Sequence, residues 1–340
     1  MRFIRQIGFV FILLFLITGC GTSQTGQTPP AKADTPPETV SSLRQASDKY
    51  LKSNRSFSIS AQEVYEKALL AADPAYILVD IRSEEHYAKH HIPGSIHISY
   101  ADVWRSNKTD YLPKDKKIIV IDYSGHSSSQ VAAYWSLLGL DAIPMKHGMA
   151  AWSKDKDIIG GSPLPCEPRN FAVTKDETAP QTYELPVLEV KALRMDDLLR
   201  QRGEAIATKP VVIQADDLLT KVNAKSVFIL DIRVAEHFKT GHIAGSVNIP
   251  FRRLAEETSL KTLPADRQIV VVDYDGHSAS QAARLLNLLG YDSLALRDGM
   301  SVWTGDAKVI GAPAVACTIT ERQTAQLNAP LNPGPSAAAT

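Results

Sequence analysis

The chain has 340 residues, with 37 basic and 37 acidic side chains and a formal net charge of zero. Without the 19-residue leader described next, 340 − 19 = 321 residues remain, which is long for one domain and natural for two. No basic stripe is visible, so the composition argues against nucleic-acid binding.

The first residues have the pattern of an export signal. Arg2 and Arg5 precede an apolar run over residues 7–17 that is too short to span a bilayer as an ordinary helix. The run ends in the sequence ITGC, which resembles the lipobox of bacterial lipoproteins, whose cysteine is lipidated and becomes the first mature residue. We expect a signal peptide over residues 1–19, lipidation of Cys20 and an extracytoplasmic, membrane-anchored protein of the bacterial envelope. A plain signal peptide or a short anchor helix is the alternative.

The segment after this cysteine is predicted to be a flexible tether. Residues 21–37 are rich in Thr, Gln, Gly and Pro and contain no aromatic side chain, so they cannot bury a core. We assign residues 20–40 to the tether, which would hold the globular part roughly 20–25 Å from the lipid. The end of the chain is similar in composition, and residues 321–340 are predicted to be disordered.

The rest of the chain is a duplication. The sequence DYSGHS begins at Asp122 and DYDGHS begins at Asp273, an offset of 273 − 122 = 151. The same offset relates Asp80 to Asp231, His91 to His242, Trp152 to Trp303 and Cys166 to Cys317. A long match without insertions indicates a repeated domain. We therefore predict domain 1 over residues 41–166, a linker over 167–189 and domain 2 over 190–320.

Each copy has the pattern of an α/β domain. Four short, continuous apolar runs predict strands buried on both faces, as in a parallel sheet: residues 76–79, 118–121, 227–230 and 269–272. Helices are expected over Ser41 to Leu51 and Val190 to Arg202, after Ser60 and Gln214, and after each six-residue loop, with Gly139 and Gly290 closing the last two. Alternating strands and helices favour a mostly parallel central sheet with helices on both faces.

The two six-residue loops are the candidate sites. Each leaves a buried strand and enters a helix, so several backbone N–H groups point at one spot and can cradle an anion. The cradle of the first copy comprises Tyr123, Ser124, Gly125, His126 and Ser127, and that of the second comprises Tyr274, Asp275, Gly276, His277 and Ser278. The glycine permits the tight turn, and the serines can donate further hydrogen bonds.

The motifs around the loops resemble those of the rhodanese family. The first copy carries DIR at 80–82, EHY at 85–87 and HIPGS at 91–95, and the second carries DIR, EHF and HIAGS at 231–233, 236–238 and 242–246. A Gly-Met pair ahead of a tryptophan completes the match in each copy. The resemblance implies two duplicated rhodanese-like domains. It also implies sulfur transfer through a persulfide on the loop cysteine.

Asp122 and Asp273 occupy the position at which the resembled family carries that cysteine. A carboxylate cannot hold a persulfide, so the catalytic nucleophile is absent under this resemblance. The cradle would stabilise the ionised carboxylate, which would fill the place of an anionic substrate. We predict a non-catalytic binding or scaffold protein with no cofactor and no metal. The loop would then be a retired site closed by its own side chain. The alternatives are a retained pocket for an unknown protein or small anionic ligand, and a different chemistry.

Two enzymatic alternatives stay open. The second loop imitates the Asp-x-Asp start of haloacid-dehalogenase-type phosphatases, but Ser124 replaces the second aspartate in the first loop. Residual sulfurtransferase activity could instead use Cys166 or Cys317. These two cysteines occupy equivalent positions in an exported chain, so they either form a disulfide or remain free thiols.

Other residues that both copies share are predicted to have structural roles. Two ligands per loop are too few for a closed metal site, so His126 and His277 are predicted to face solvent. Arg82 and Arg233 follow an aspartate at a strand end and are predicted to form structural ion pairs. Trp152 and Trp303 are predicted to lie in the core.

Overall fold

Both repeats contain a short-stranded sheet. The strands are β1 (Tyr76–Asp80), β2 (His90–His91), β3 (Ile96–His97), β4 (Lys117–Ile121), β5 (Asp141–Pro144), β6 (Val212–Ile213), β7 (Phe228–Asp231), β8 (Ser246–Asn248), β9 (Ile269–Val272), β10 (Ser293–Leu296) and β11 (Asn332–Pro333). The order is β3-β1-β4-β5 in the first repeat and β6-β10-β9-β7-β8 in the second. All neighbours within these two sheets run parallel, which confirms the prediction from the continuous apolar runs.

The computed structural model describes residues 37–161, 167–188, 194–311 and 332–333. The predictions for the signal peptide, Cys20, Cys166 and Cys317, and for most of the tether and tail, lie outside these residues. Within the described part of the chain, no helix is long and apolar enough to cross a membrane.

Helices connect the strands in the order expected for an α/β fold. They are α1 (Pro37–Lys52), α2 (Ala61–Val64), α3 (Glu84–Lys89), α4 (Ser106–Thr109), α5 (His126–Leu137), α6 (Lys156–Ile159), α7 (Met195–Ile206), α8 (Ala215–Asn223), α9 (Ala235–Thr240), α10 (Glu257–Leu260), α11 (His277–Leu288), α12 (Gly299–Trp303) and α13 (Ala307–Ile310). A π-helical turn covers Tyr65–Leu70, and 3₁₀ turns cover Gly148–Ala151 and Phe251–Arg253.

Two predicted helix boundaries need correction. The first helix begins at Pro37, so residues 37–40 are helical and do not belong to the predicted tether. A proline is well accommodated in the first turn of a helix because its missing N–H would be unpaired there anyway. The helix predicted over residues 190–202 instead runs over Met195–Ile206.

The alternation of side chains along the central strands divides the core into layers. In β4, Ile118 and Val120 pack into one core, whereas Ile119 and Ile121 pack into another on the opposite face. In β9, Ile269 and Val271 enter the same core as Ile118 and Val120. The inner faces of both sheets therefore share one apolar core across the two repeats, while each outer face has its own. Helices α5 and α11 pack against each other at its centre.

A buried ion pair fixes the end of β1 in the first repeat and of β7 in the second. Arg82 Nη2 lies 2.7 Å from Asp80 Oδ2, and the same distance joins Arg233 Nη2 and Asp231 Oδ2. Each arginine also donates to a carbonyl in the last helix of its repeat, which ties the strand end to that helix. The predicted structural ion pairs are confirmed, as is the burial of Trp152 and Trp303.

Candidate loop sites

The first loop closes around its own carboxylate. Asp122 follows β4, and Gly125 at φ +87° turns the chain into α5. Asp122 Oδ1 accepts hydrogen bonds from Gly125 N at 2.6 Å and Ser128 Oγ at 2.9 Å, and Oδ2 accepts one from Ser127 N at 2.9 Å. The side chain is buried. Two backbone N–H groups and one hydroxyl of this loop and helix start therefore converge on the carboxylate of Asp122.

The second loop repeats this geometry with fewer donors. Asp273 follows β9, and Gly276 at φ +85° begins the turn into α11. Asp273 Oδ1 accepts from Gly276 N at 2.5 Å, and Oδ2 accepts from Ala279 N at 3.1 Å. Ala279 stands where the first copy has Ser128, so the hydroxyl donor of the first cradle has no counterpart here.

The two loops face each other across the repeat interface. The rings of His126 and His277 stack with their centroids 5.2 Å apart. His126 Nε2 accepts a hydrogen bond from the backbone N–H of Asp298 at 3.2 Å, and His277 Nε2 accepts one from the backbone N–H of His147 at 3.0 Å. Each histidine thus reaches into the other repeat.

The prediction that these histidines face solvent is wrong. His126 and His277 are each 3% exposed. The reason is the pairing of α5 with α11: the histidine at the first position of each helix meets its equivalent where the two helices begin. A sequence read one repeat at a time cannot show that the second repeat covers the first.

Close approach explains why each loop has a glycine at this point. A Cβ on Gly125 would lie well inside van der Waals distance of His277 Nε2, and a Cβ on Gly276 would meet His126 Nε2 in the same way. Both glycines also adopt a positive φ, which disfavours other residues. Each glycine therefore serves two purposes, the turn and the contact with the opposite repeat.

Comparison with known proteins agrees with this architecture. The family model for the rhodanese-like domain matches residues 61–155 and 214–306, more than half of the chain. This chain belongs to the rhodanese-like family.

Single-domain relatives align with one repeat at a time. The thiosulfate sulfurtransferase GlpE of Shewanella oneidensis is 37% identical over 92 residues, which is 27% of this chain and 89% of that protein. The putative sulfurtransferase YtwF of Bacillus subtilis is 34% identical, covering 28% of this chain and 87% of that protein. The uncharacterized protein YibN of Escherichia coli is 27% identical, covering 30% and 73%. A rhodanese-like domain protein from Staphylococcus aureus is similar in structure, with 26% identity, a TM-score of 0.27, and 29% and 92% coverage.

The second rhodanese-like loop carries more charge than the first. Asp275 Oδ2 lies 2.7 Å from Nζ of Lys146, which belongs to the first repeat, and Asp275 Oδ1 lies 3.1 Å from His277 Nδ1. Burial favours the neutral acid, but the interactions with His277 and Lys146 outweigh it and hold the pKa of Asp275 well below its usual range. The carboxylate of Asp275 in turn outweighs burial at the imidazole and raises the pKa of His277.

Asp273, the first residue of this loop, has an unusually high pKa. Burial, together with the nearby charge of Asp275, raises the pKa of Asp273 to about 7 despite two backbone donors. Two carboxylates so close cannot both ionise easily, and Asp275 keeps its charge because it has cationic partners. The proton therefore belongs on Asp273.

The first rhodanese-like loop has no second acid. Ser124 stands at the position of Asp275, and its Oγ lies 3.1 Å from His126 Nδ1. Without an adjacent carboxylate in its own loop, His126 is dominated by burial, which lowers its pKa to about 4. The two loops share one backbone shape, yet the pKa of His126 is lowered and the pKa of His277 is raised.

Three participants in the interface were missed by sequence reasoning. Lys146, His147 and Asp298 lie immediately ahead of the Gly-Met motifs, and each contacts the loop of the other repeat. The 151-residue offset places His147 and Asp298 at equivalent positions, and this equivalence was the one sign in the sequence that could have pointed to them. Both adopt a left-handed φ near +60° that aims their N–H groups across the interface.

The rims of the two loops are also alike. Tyr123 OH lies 2.6 Å from His86 Nδ1, and Tyr274 OH lies 2.9 Å from His237 Nδ1. Both tyrosines are half-buried, so this rim remains in contact with solvent. Among the described residues, no three His, Cys, Asp or Glu side chains are grouped so as to hold one metal ion.

Proposed function

We propose that this chain is a non-catalytic tandem rhodanese-like lipoprotein of the bacterial cell envelope, with a binding or scaffold role. The observation that carries the proposal is the carboxylate of Asp122, which accepts three hydrogen bonds inside its own cradle. Asp273 fills the second cradle in the same way. An anionic sulfur donor would need the donors that these carboxylates already use.

The identity of the loop residue supports the same conclusion. In the family's chemistry a loop thiolate attacks the outer sulfur of thiosulfate, a persulfide forms and sulfite leaves. Under the sequence resemblance, Asp122 and Asp273 stand where that thiolate would stand. A carboxylate oxygen cannot carry sulfur in this way, so the step has no acceptor in either loop.

The packing of the loops adds a second obstacle. His277 covers Gly125, and His126 covers Gly276, so each turn is closed by the opposite repeat. Restoring a cysteine alone would therefore give a buried thiol. Packing and residue identity thus oppose sulfur transfer independently of each other.

A phosphatase role has little physical support. The Asp273 carboxyl is buried and already accepts two backbone hydrogen bonds, and its raised pKa makes it a poor nucleophile at neutral pH. The first loop lacks the second aspartate altogether. We therefore retain one enzymatic alternative, residual sulfur transfer, because the GlpE enzyme is 37% identical to one repeat.

Sulfur transfer from thiosulfate to cyanide is the deciding measurement. The full chain should stay at background. The matched controls are the double variant Cys166→Ser/Cys317→Ser, and the same background carrying Asp122→Cys with or without His277→Ala. We expect turnover only in the variant that combines Asp122→Cys with His277→Ala, because it has both a thiol and no histidine covering the loop. Turnover by the native chain that survives loss of both cysteines would overturn the non-catalytic role.

The lipid anchor is tested separately. The ITGC sequence that ends at Cys20 supports it. We expect Cys20→Ser to release the protein from the membrane fraction or to block its processing. Cys166→Ser serves as a matched control that should leave both unchanged. Normal processing and full membrane retention of Cys20→Ser would contradict lipidation.

A further inference from the structure

Neutral imidazole rings hold the contact between the loops. His126 Nε2 accepts the N–H of Asp298, and His277 Nε2 accepts the N–H of His147. A ring nitrogen that accepts a hydrogen bond has no proton of its own. Both contacts therefore require that Nε2 be unprotonated, and a proton added there would place two donors against each other.

A third buried imidazole lies at the same contact. The ring of His147 packs edge-on against His277 with the centroids 4.6 Å apart. Neither ring nitrogen of His147 has a hydrogen-bond partner in the described part of the chain. Burial holds the pKa of His147 well below its usual range. Three imidazoles thus occupy a small, water-poor contact that tolerates little added positive charge.

Charged groups from both repeats surround these rings. Around His126 and His277 lie Lys146 and His147 of the first repeat and Asp273, Asp275, Arg297 and Asp298 of the second. Of the charged groups that the structure describes around these rings, Asp275 is the one within hydrogen-bond distance of a ring nitrogen, with Oδ1 3.1 Å from His277 Nδ1. Asp298 lies 3.9 Å from His126 Nε2.

We propose that His126 is a proton-dependent latch, in which protonation of its Nε2 releases the two loops from each other and uncovers the cradles of Asp122 and Asp273. The inference deepens the proposed function and rests on it in one respect, since it takes the covered loops as the resting state. It concerns exposure of the loops and requires no catalysis.

The direction of the effect follows from where the perturbing groups reside. Burial, which lowers the pKa of His126 to about 4, is relieved when the loops part. At His277 the carboxylate of Asp275 outweighs burial and raises the pKa in the closed form, so this ring does not drive opening as the pH falls. At His126 the open form binds a proton more tightly than the closed form.

Acid consequently drives opening. Protonation of His126 favours the open form by up to tenfold per pH unit between its closed and open pKa values. His126 takes its proton in the closed form only near pH 4, so the loops open as the pH falls toward that value. The opening is local, since the shared core between α5 and α11 lies behind the loops and does not depend on the histidines.

Hydrogen–deuterium exchange of the full chain tests the latch. Peptides that contain the amides of Gly125, His147, Gly276 and Asp298 are followed from pH 8 to pH 4, with each rate normalised to its intrinsic value at that pH. We expect protection at these amides to fall at least tenfold over this range. Amides in β4 and β9 should keep their protection, because the sheets remain closed.

The double variant His126→Gln/His277→Gln supplies the matched control. Its amide oxygens can still accept a backbone N–H, but they do not titrate. We expect pH-independent protection in this variant, and the native profile in His90→Gln, which alters an exposed histidine outside the loops. Constant protection in the native chain, or the same fall in the double variant, would overturn the latch.

A second measurement covers the case in which the double variant fails to fold. Proton NMR of the imidazole Cε1–H signals in the native chain should show His126 titrating near pH 4, together with shifts of the loop amides. Ordinary titration of both rings near pH 6.5 without loop shifts would overturn the latch. Sulfurtransferase turnover would count against the proposed function and leave these profiles unchanged, so the two failures are distinguishable.

Discussion

The first and second loops share a backbone but differ in charge. Gly125 and Gly276 have nearly the same φ, at +87° and +85°, and each precedes a twelve-residue helix. The first carboxylate gains a hydroxyl donor from Ser128 and has a neutral neighbour in Ser124. The second loses that hydroxyl and gains Asp275. Two substitutions therefore separate a buried carboxylate with three hydrogen-bond donors from one whose pKa is raised to about 7.

The difference shows which features the interface demands. Four features that position the loops are present in both repeats. They are the strand, the glycine, the histidine and the backbone N–H of the other repeat that donates to this histidine. The charges near the carboxylates vary, and Lys146 compensates for the added acid from across the interface. Shape is thus retained in both copies, whereas electrostatics differ between them.

The largest expected effect tests the part of the comparison in which the repeats are alike. Arg82→Ala and Arg233→Ala should each lower the free energy of unfolding by about 3–5 kcal/mol, because each leaves a buried aspartate without its partner. The two costs should agree, since both pairs are equally buried and equally short. Urea unfolding gives both values. A large difference between them would show that the repeats are supported unequally.

The sequence was most informative where a pattern is local. Apolar runs such as residues 118–121 predicted the central strands because both faces of a parallel sheet are covered. The aspartate-to-arginine spacing at 80–82 predicted the ion pair, since the two side chains meet at one strand end. Ser60 and Glu63 form the capping box that starts α2.

Alanine at the loop glycines should have the next largest effect. Gly125→Ala and Gly276→Ala should each cost about 2–3 kcal/mol, since both the positive φ and the opposing histidine disfavour a Cβ. Adding His277→Ala to Gly125→Ala should recover part of that loss in urea unfolding. His277→Ala should give no such recovery with Gly276→Ala, whose Cβ meets His126. Equal recovery in both backgrounds would contradict the reciprocal contact.

Features that depend on the second repeat could not be read from the sequence. The burial of His126 requires the orientation of α5 against α11, which no local pattern contains. The same holds for Lys146, whose acid partner lies 129 positions later, at Asp275. The 151-residue offset shows that equivalent residues exist, but it does not show that they meet.

Replacing each of the two aspartates by asparagine should show directly how the two loops differ in stability. Asp122→Asn should cost about 1–3 kcal/mol, because its amide cannot accept from all three donors. Asp273→Asn should cost less at pH 8, where it removes the repulsion with Asp275.

The pH dependence of the stability of Asp273→Asn tests the direction of the pKa shift at Asp273. Because the folded pKa of Asp273 is about 7 and its ordinary value is 3.8, its stabilising contribution is present at low pH and is lost as the pH rises through 7. The advantage of the native chain over Asp273→Asn should therefore shrink by about 2–3 kcal/mol between pH 5 and pH 8. An advantage that grows with pH in urea unfolding would contradict the raised pKa.

The smallest effect concerns the ion pair that crosses the interface. Lys146→Ala should lower the free energy of unfolding by about 1 kcal/mol at pH 8, because Asp275 is nearly buried and keeps only His277 as a partner. The equivalent residue of the second repeat, Arg297, lies 3.6 Å from its own neighbour Asp298 and faces no second acid of the first loop. Arg297→Ala should cost about 0.5 kcal/mol or less. Repeating both measurements in an Asp275→Ser background makes the second loop resemble the first, and the cost of Lys146→Ala should then fall to that of Arg297→Ala. A cost of Lys146→Ala that persists in this background would mean that the lysine stabilises the interface through its packing, and that the added acid is not what it compensates.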